Sequence, residues 1–279
     1  MSMTSARLLN TAPVRKGRGF AMQIPRAVAR IGASPADYRA APPIIVNSLP
    51  KSGTHMLMQI AQALPGTRYF GSFIAQTPSL TLRMRSPAEI AGRIKRIVPG
   101  EVLGTHLYHH PETARALDEV NALHLFIYRD PRDVLLSETH YLTSMSRWHK
   151  MHKTFAAIPD GEARLRLAIT GNGTETYPDA RERIGAYMGW IRDPSCIALS
   201  YETLNDPQAL PAEIDRITAA FVDRGGRIED PEAMRRSLIE AIAPEKSHTF
   251  NKGGIARWKK EMSPEAQAMC LERFPWLES

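Results

Sequence analysis

Short continuous apolar runs alternate along this chain with segments in which apolar residues recur at helical spacing. The runs are bounded by loops and are too short for helices, so each of them predicts a buried strand. The predicted strands are 44–46, 101–105, 123–128 and 197–200. The predicted helices are 56–64, 87–97, 111–120, 131–145, 181–191, 207–223, 231–242 and a last one from Pro264. Strands that alternate with helices indicate an α/β fold with a central parallel sheet flanked by helices in three layers.

Two stretches lack a clear period. Residues 65–86 are rich in Ser and Thr and predict a loop. Residues from about 143 to 180 carry several glycines and predict a variable insertion or a mobile region.

The segment 44–58, IIVNSLPKSGTHMLM, combines a strand, a glycine-containing loop and a helix. Free backbone N–H groups and the macrodipole at a helix N-terminus favour an anion, and Lys51 adds a cation beside them. Ser52 and Thr54 add hydroxyl donors, one of which is expected to cap the helix. The loop is not a Walker A sequence, because Lys51 precedes Gly53, the only loop glycine.

A second polar motif, YRDPRDVLLSETHYL, begins at Tyr128. Arg129 follows a predicted strand, and Pro131 suits the first turn of a helix. Ser137 lies on that helix, eight residues after Arg129. A guanidinium donates bidentately to a terminal phosphate, and a serine hydroxyl completes such a cradle.

These motifs together resemble those of sulfotransferases that use 3′-phosphoadenosine 5′-phosphosulfate (PAPS). PKSGT followed by a helix resembles the 5′-phosphosulfate loop, and Arg129 to Ser137 resembles the 3′-phosphate motif of cytosolic-type members. YETL from Tyr201 resembles a Y-E-D-L segment, and FNKGGIARWK at 250–259 resembles a late R-K-G-x-x-G-D-W-K segment. The four segments occur in the family's order over about 44–265, which implies a P-loop-like sandwich and a bacterial-like PAPS-dependent enzyme.

The resemblance also implies roles for single residues. Lys51 would stabilise the leaving phosphate oxygen, and Tyr201 would approach the adenine. Ser52, Gly53 and Thr54 would bind the 5′-phosphate, and His55 beside the loop is also expected to bind the cofactor. The expected contacts to the 3′-phosphate are Arg129, Ser137, Lys252 and Gly253. The late segment departs from the pattern at Asn251, Ala256 and Arg257, where the family has Arg, Gly and Asp.

The stretch from Gly104 to Leu107 resembles the family's K-T-H-L, whose histidine is the catalytic base. His106 is therefore the expected base, with Gly104 in place of the lysine. His109 and His110 are the alternatives if the alignment slips. No metal is expected, because no cysteine or acidic side chain accompanies these histidines with ligand spacing.

Acceptor selectivity is expected from 67–86, from 108–110 and from 143–180. Tyr69, Phe70, Phe73 and Trp148 would either wall an acceptor pocket or belong to the core. The acceptor would be a small molecule, a glycan or a lipid, with phenols, sugars, lipid-linked glycans and natural-product hydroxyls all open.

Composition limits the partners. The 279 residues suffice for one α/β domain, predicted over 42–279. Of the formal net charge of +7, +6 falls on residues 1–40, so no nucleic-acid partner is expected for the folded part. Residues 1–41 form a basic leader, predicted to be partly disordered or amphipathic, which would contact an anionic membrane peripherally. With two cysteines and no apolar signal segment, the expected location is the cytoplasm, with association to membranes through the leader.

Two other functions fit parts of this sequence. An ATP-dependent P-loop kinase would need the Walker A spacing and ligands for Mg²⁺. A non-catalytic binder of nucleotides or phospholipids would keep Lys51 and Arg129 but would not need His106.

Overall fold

The computed structural model describes residues 22–243 and 254–277. Its strands, β1 to β5 in chain order, are Ile44–Ser48, Phe73–Ala75, Val102–His106, Leu123–Tyr128 and Cys196–Ser200. Its α-helices, α1 to α14, are Gln23–Ile31, Pro35–Ala40, Thr54–Ala63, Pro87–Ile94, Pro111–Glu119, Pro131–His140, His152–Ala157, Gly161–Thr170, Ala180–Met188, Tyr201–Leu204, Leu210–Asp223, Pro231–Glu240, Trp258–Glu261 and Pro264–Arg273. A π-helical turn, Tyr141–Met145, continues α6, and short 3-10 turns cover Gly189–Ile191 and Pro275–Leu277.

All five strands are parallel and lie in the order β2-β3-β1-β4-β5. β1 is central, and all five of its residues are buried. β3 lies on one side of β1 and β4 on the other, so the strand order changes direction at β1. Such a change of direction opens a crevice at the carboxyl ends of the strands, where α/β proteins bind ligands. The loop after β1 lies in this crevice.

Two hydrophobic clusters, one on each face of the sheet, hold the layers together. Alternate residues of β1 point to opposite faces, so Ile45 joins one cluster, and Ile44 and Val46 join the other. The first cluster packs α4 to α9 and α14, and the second packs α3, α10, α11 and α12. The predicted three-layer α/β sandwich is confirmed.

The four predicted strands are present, but a fifth was missed. β2 lies inside the predicted loop 65–86 and pairs only with β3. Its three residues are too few to show a period of two in the sequence. Residues 143–180, predicted to be an insertion, contain α7 and α8, and buried side chains such as Phe155 and Ile169 belong to the first cluster.

The described part of the leader is helical. α1 and α2 are separated by a short turn, and Ser34 and Asp37 form a capping box at the start of α2. Residues 1–21 lie outside the described residues. Among the helices that are described, none combines the length and the apolar character that crossing a bilayer requires.

Candidate active site

The loop after β1 positions the first group of predicted residues. Gly53 adopts a left-handed conformation with φ of 101° and precedes the first residue of α3, Thr54. No side chain caps this helix, so the expected cap from Ser52 or Thr54 is absent. Thr54 instead shares a 2.7 Å hydrogen bond with the Ser48 hydroxyl. The uncapped N-terminus of α3 therefore offers its backbone N–H groups to an anion.

Lys51 projects from this loop toward the π-helical turn. Its φ of 69° lies in the left-handed region, which is costly for a residue with a Cβ. Its Nζ lies 4.1 Å from the centroid of the Tyr141 ring, close enough for a cation–π contact. The pKa of Lys51 is lowered to about 8, mainly by burial; Glu138 opposes this shift and Arg129 contributes to it. Much of the Lys51 population is thus charged at neutral pH and ready to meet a developing negative charge.

Arg129 lies just beyond β4, with its guanidinium almost fully buried. Its Nη2 donates to the Asp133 carboxylate at 3.1 Å and to the Gly254 carbonyl oxygen at 2.5 Å. Its guanidinium carbon lies 4.3 Å from the centroid of the Tyr201 ring. Tyr201 also packs against Gly53. The PKSGT loop, the Arg129 motif and the YETL segment therefore meet at one place.

Two donors in this crevice are buried without a hydrogen-bond partner among the described residues. They are the hydroxyl of Ser52 and Nε of Arg129. A buried unpaired donor is costly, so such groups are rare, and a bound anion is one way in which they are satisfied. One donor lies in the predicted 5′-phosphate loop and the other in the predicted 3′-phosphate motif, so the residues present fit an anion at each position.

His106 ends β3, next to the PKSGT loop after β1 (50–54), called the phosphate loop below. Its Nδ1 lies 2.9 Å from the Ser48 carbonyl oxygen and 3.0 Å from the Ser48 hydroxyl. A carbonyl oxygen only accepts, so Nδ1 carries the proton and Nε2 keeps its lone pair. Burial lowers the pKa of His106 to about 4, so the imidazole is neutral at pH 7. The neutral ring with Nε2 unprotonated has the form that a general base requires.

Phe73 closes one side of His106. The two rings meet edge to face, with centroids 4.9 Å apart. A Cβ at Gly104 would lie 2.9 Å from the Phe73 ring, so the glycine at the family's lysine position makes room for this contact. Among the other aromatic residues expected at the acceptor pocket, Phe70 is buried, whereas Tyr69 and Trp148 are exposed.

The two rival histidines have structural contacts. His109 Nε2 lies 2.9 Å from an Asp193 carboxylate oxygen, and the His109 ring packs against Trp190. His110 Nδ1 accepts from the Glu112 amide at the start of α5. His106 alone among these three contacts the phosphate-loop strand.

Of the remaining predicted cofactor-binding residues, two belong to the described part of the chain and two do not. His55 and Ser137 are half-buried, on α3 and α6, and the charge of His55 contributes to the lowered pKa of His106. Lys252 and Gly253 lie outside the described residues. Within 22–243 and 254–277, no group of three or more His, Cys, Asp or Glu is placed to hold a metal ion.

The described end of the late segment is held by Asp133. This buried carboxylate accepts from the amides of Ala256 and Trp258 at 2.9 and 3.1 Å, in addition to Arg129. Ala256 has φ of 56°, a conformation that favours the glycine expected there from the resemblance. The Trp258 ring lies 3.5 Å from the guanidinium carbon of Arg132. One carboxylate thus joins the 3′-phosphate motif to the late segment.

Asn47 is a site residue that the sequence analysis missed. Its buried amide oxygen accepts from the Leu107 amide at 2.8 Å and from the Thr105 hydroxyl at 3.1 Å. Its amide nitrogen donates to the Leu107 carbonyl oxygen at 3.2 Å. Asn47 therefore holds the residues on both sides of His106. A buried asparagine at the end of an apolar strand run is the sequence signal that could have identified it, because a buried amide needs partners.

The carboxyl ends of a parallel sheet here bring together an uncapped helix N-terminus, a buried arginine and a neutral histidine, an arrangement suited to holding an anionic group. Residues 41–218 match the sulfotransferase domain family, so the chain belongs to that family and is a sulfotransferase. This match favours sulfuryl transfer over the kinase and the non-catalytic alternatives. No curated protein sequence matches the chain.

Solved structures share the fold at low sequence identity. Mouse sulfotransferase SULT7A1, complexed with adenosine 3′,5′-bisphosphate (PAP), is 19% identical in sequence with a TM-score of 0.56. The match covers 84% of this chain and 83% of that one. Retinol dehydratase in complex with androsterone and inactive cofactor PAP is 17% identical, with a TM-score of 0.56, over 84% and 79%. Retinol dehydratase in a complex with retinol and PAP is 17% identical, with a TM-score of 0.52, over 84% and 80%.

Proposed function

We propose that the protein transfers the sulfuryl group of PAPS to a hydroxyl or amine of an acceptor, releasing adenosine 3′,5′-bisphosphate (PAP). The observation that carries this proposal is the pair of buried unpaired donors, the Ser52 hydroxyl and Arg129 Nε. They lie in two motifs that would hold the two ends of one bisphosphorylated nucleotide. The presence of PAP in the similar solved structures supports the same donor.

In this proposal the phosphate loop binds the 5′ end of the donor. Ser52, Gly53, Thr54 and His55 offer hydroxyl and backbone donors, and Lys51 reaches the oxygen that joins phosphate and sulfonate. That oxygen gains negative charge as the sulfuryl group leaves, so the Lys51 ammonium stabilises the transition state more than the ground state. The 3′-phosphate would be held by Arg129 and Ser137, with Lys252 and Gly253, and the adenine by Tyr201.

His106 would activate the acceptor. Its Nε2 takes the proton of the attacking hydroxyl while Nδ1 remains bonded to Ser48. As in phosphoryl transfer, the remaining work is positioning and neutralisation of charge. The donor supplies the sulfuryl group, and this mechanism needs no metal.

The acceptor is proposed to be a small molecule, a glycan or a lipid bound beside His106 and Phe73. Phenols, sugars, lipid-linked glycans and natural-product hydroxyls are the classes to screen. A cytoplasmic location, with peripheral contact to membranes through the leader, is part of the same proposal.

Calorimetric titration with PAP, AMP and ATP tests the donor site first. We expect tight binding that requires the 3′-phosphate and does not require magnesium. Preference for ATP with magnesium, or failure to bind PAP, would overturn the proposal. The titration needs no knowledge of the acceptor.

Substitutions separate the proposed roles. His106→Ala should reduce turnover by about 10²- to 10⁴-fold with PAP affinity intact, whereas His140→Ala, at the exposed end of α6, serves as the matched control. Lys51→Ala should slow transfer far more than it weakens PAP binding. Arg129→Ala should mainly weaken binding, because its contact persists through the reaction. Unchanged turnover in His106→Ala would remove that residue from its role.

A further inference from the structure

Helix α1 is oriented with its polar side toward the protein. Apolar residues Ile24, Val28 and Ile31 are 71%, 65% and 89% exposed, and they share one face because they lie four and seven residues apart. The opposite face carries Arg26, whose Nε is 2.8 Å from the buried carboxylate of Glu101. An amphipathic helix at a protein surface normally buries its apolar face, so this orientation needs an explanation.

The polar side of α1 fixes its orientation. Arg26 Nη2 donates to the Arg96 carbonyl oxygen at 3.0 Å, and Gln23 donates to the Ser72 hydroxyl at 3.3 Å. These two bonds and the Arg26–Glu101 pair attach α1 to the rest of the fold by its polar side, so its apolar side faces away from the core. Tyr38 of α2 donates to the Ile97 carbonyl oxygen at 2.8 Å and anchors the following helix. No residue of α1 is buried.

The one charge of α1 that no described carboxylate neutralises is positive. Arg30 is exposed, and none of the ion pairs among the described residues includes it. Arg26 is neutralised by Glu101, and Asp37 is bonded to Ser34. Residues 1–21, which precede the helix, contain four basic residues and no acidic one.

We propose that the apolar face of α1 inserts into the surface of an anionic lipid bilayer. An exposed aliphatic stripe on a helix that carries an unpaired arginine, preceded by a basic segment, matches the interface between acyl chains and anionic headgroups. A second copy of the chain would bring the same positive charges to this surface, so self-association is disfavoured by charge. This surface lies apart from the proposed donor site, because Arg26 contacts Glu101, at the amino end of β3, whereas His106 ends that strand.

Co-sedimentation of the full chain with vesicles tests the proposal. One set contains phosphatidylcholine with phosphatidylglycerol, and the other contains phosphatidylcholine alone. We expect binding to the anionic vesicles only, weakened by added salt. The triple variant Ile24→Ser, Val28→Ser, Ile31→Ser should lose at least about tenfold in vesicle affinity, although all basic residues are kept.

A control variant replaces exposed apolar residues outside α1 and outside the region assigned to the acceptor. Ile191→Ser, Val222→Ser starts from side chains that are 39% and 47% exposed and should bind vesicles as the unaltered chain does. PAP affinity, measured in parallel, should be the same in both variants and shows that they are folded. Vesicle binding that is unchanged in the α1 variant would overturn the proposal.

Two other results would also overturn it. One is equal binding of the unaltered chain to both vesicle types, or binding to neither. The other is a concentration-dependent dimer in sedimentation velocity without lipid that the α1 variant abolishes, because the face would then belong to a second copy. This proposal deepens the membrane contact that forms part of the proposed function. It does not rest on sulfuryl transfer, so failure of vesicle binding and failure of PAP binding are distinguishable.

Discussion

Gly53 and Tyr201 are in such close contact that a Cβ on the glycine would lie 2.7 Å from Cδ2 of the tyrosine ring. The glycine also holds a φ of 101°, which L side chains rarely adopt. The phosphate loop and the residue expected beside the adenine therefore fit each other only with glycine at this position. The contact joins two motifs that are far apart in the sequence.

Gly53→Ala should therefore disturb the donor site. The strained backbone and the displaced Tyr201 ring are expected to cost about 1–3 kcal/mol of folding free energy. PAP affinity should fall with them, because the amides of the loop shift. Gly185→Ala is the control, since no atom lies within 4 Å of its added Cβ and it lies within α9. Thermal unfolding and PAP calorimetry check both variants, and equal behaviour of the two would contradict this account.

The rate of transfer should fall both at low pH and at high pH, giving a profile with an acid limb and an alkaline limb. Lys51 must be charged to stabilise the leaving oxygen, and its pKa of about 8 means that the charge is lost as pH rises through that value. His106 must be neutral to accept a proton, and its pKa of about 4 means that the neutral form is lost as pH falls through that value. We expect kcat/KM for the donor to be highest between these two values.

A variant and a second kinetic constant check this assignment. Lys51→Arg should lower the rate but remove the alkaline limb, because a guanidinium stays charged. In kcat the alkaline limb should move upward, because bound anionic donor favours the ammonium form of Lys51. An alkaline limb that persists unchanged in Lys51→Arg would assign it to another group.

Asn47 should influence the acid limb through His106. Asn47→Asp loses the donor to the Leu107 carbonyl and places a buried carboxylate behind β3. A negative charge favours the imidazolium, so the acid limb should move to higher pH, at a cost of about 1–3 kcal/mol in stability. This test rests on the proposed role of His106 as base.

Asn121→Asp is the matched control for that prediction. The Asn121 amide donates to the carbonyl oxygens of Tyr38 and Arg224 at 2.9 and 2.8 Å, at the opposite end of the sheet. Its loss should also destabilise the fold but should leave the acid limb in place. If both variants shift that limb, or neither does, Asn47 does not act through His106.

Asp133 should control the order of the late segment. Asp133→Asn removes the charge that faces buried Arg129 and one of the acceptors for Ala256 and Trp258. Breaking a buried ion pair at one partner costs about 3–5 kcal/mol. We expect faster hydrogen exchange at the amides of Ala256 and Trp258, and weaker PAP binding.

The control for Asp133 is a half-exposed carboxylate. Asp215 pairs with Arg235 at 2.7 Å, and the two side chains are 45% and 40% exposed. Asp215→Asn should change stability little and should leave exchange at residues 256 and 258 unchanged. If hydrogen exchange at these amides is equally slow in Asp133→Asn and Asp215→Asn, the role of Asp133 is refuted.

The sequence by itself determined the elements whose signals are local. The strand, loop and helix at 44–63 follow from an apolar run, a glycine and a helical period within twenty residues. Arg129 after β4 and His106 at the end of β3 follow from the same kind of pattern. Parallel strands then bring these ends to one edge of the sheet. Most of the sheet and the positions of the candidate site residues could be predicted for this reason.

Only the tertiary structure decided how those residues are held. The proton on His106 Nδ1 depends on a carbonyl 58 residues away, and Asp133 meets Trp258 across 125 residues. The lowered pKa of Lys51 depends on burial, and its contact with Tyr141 depends on where the π-helical turn places that ring. The outward apolar face of α1 likewise depends on the Arg26–Glu101 pair. Such features arise from strand register and packing, which no local period encodes.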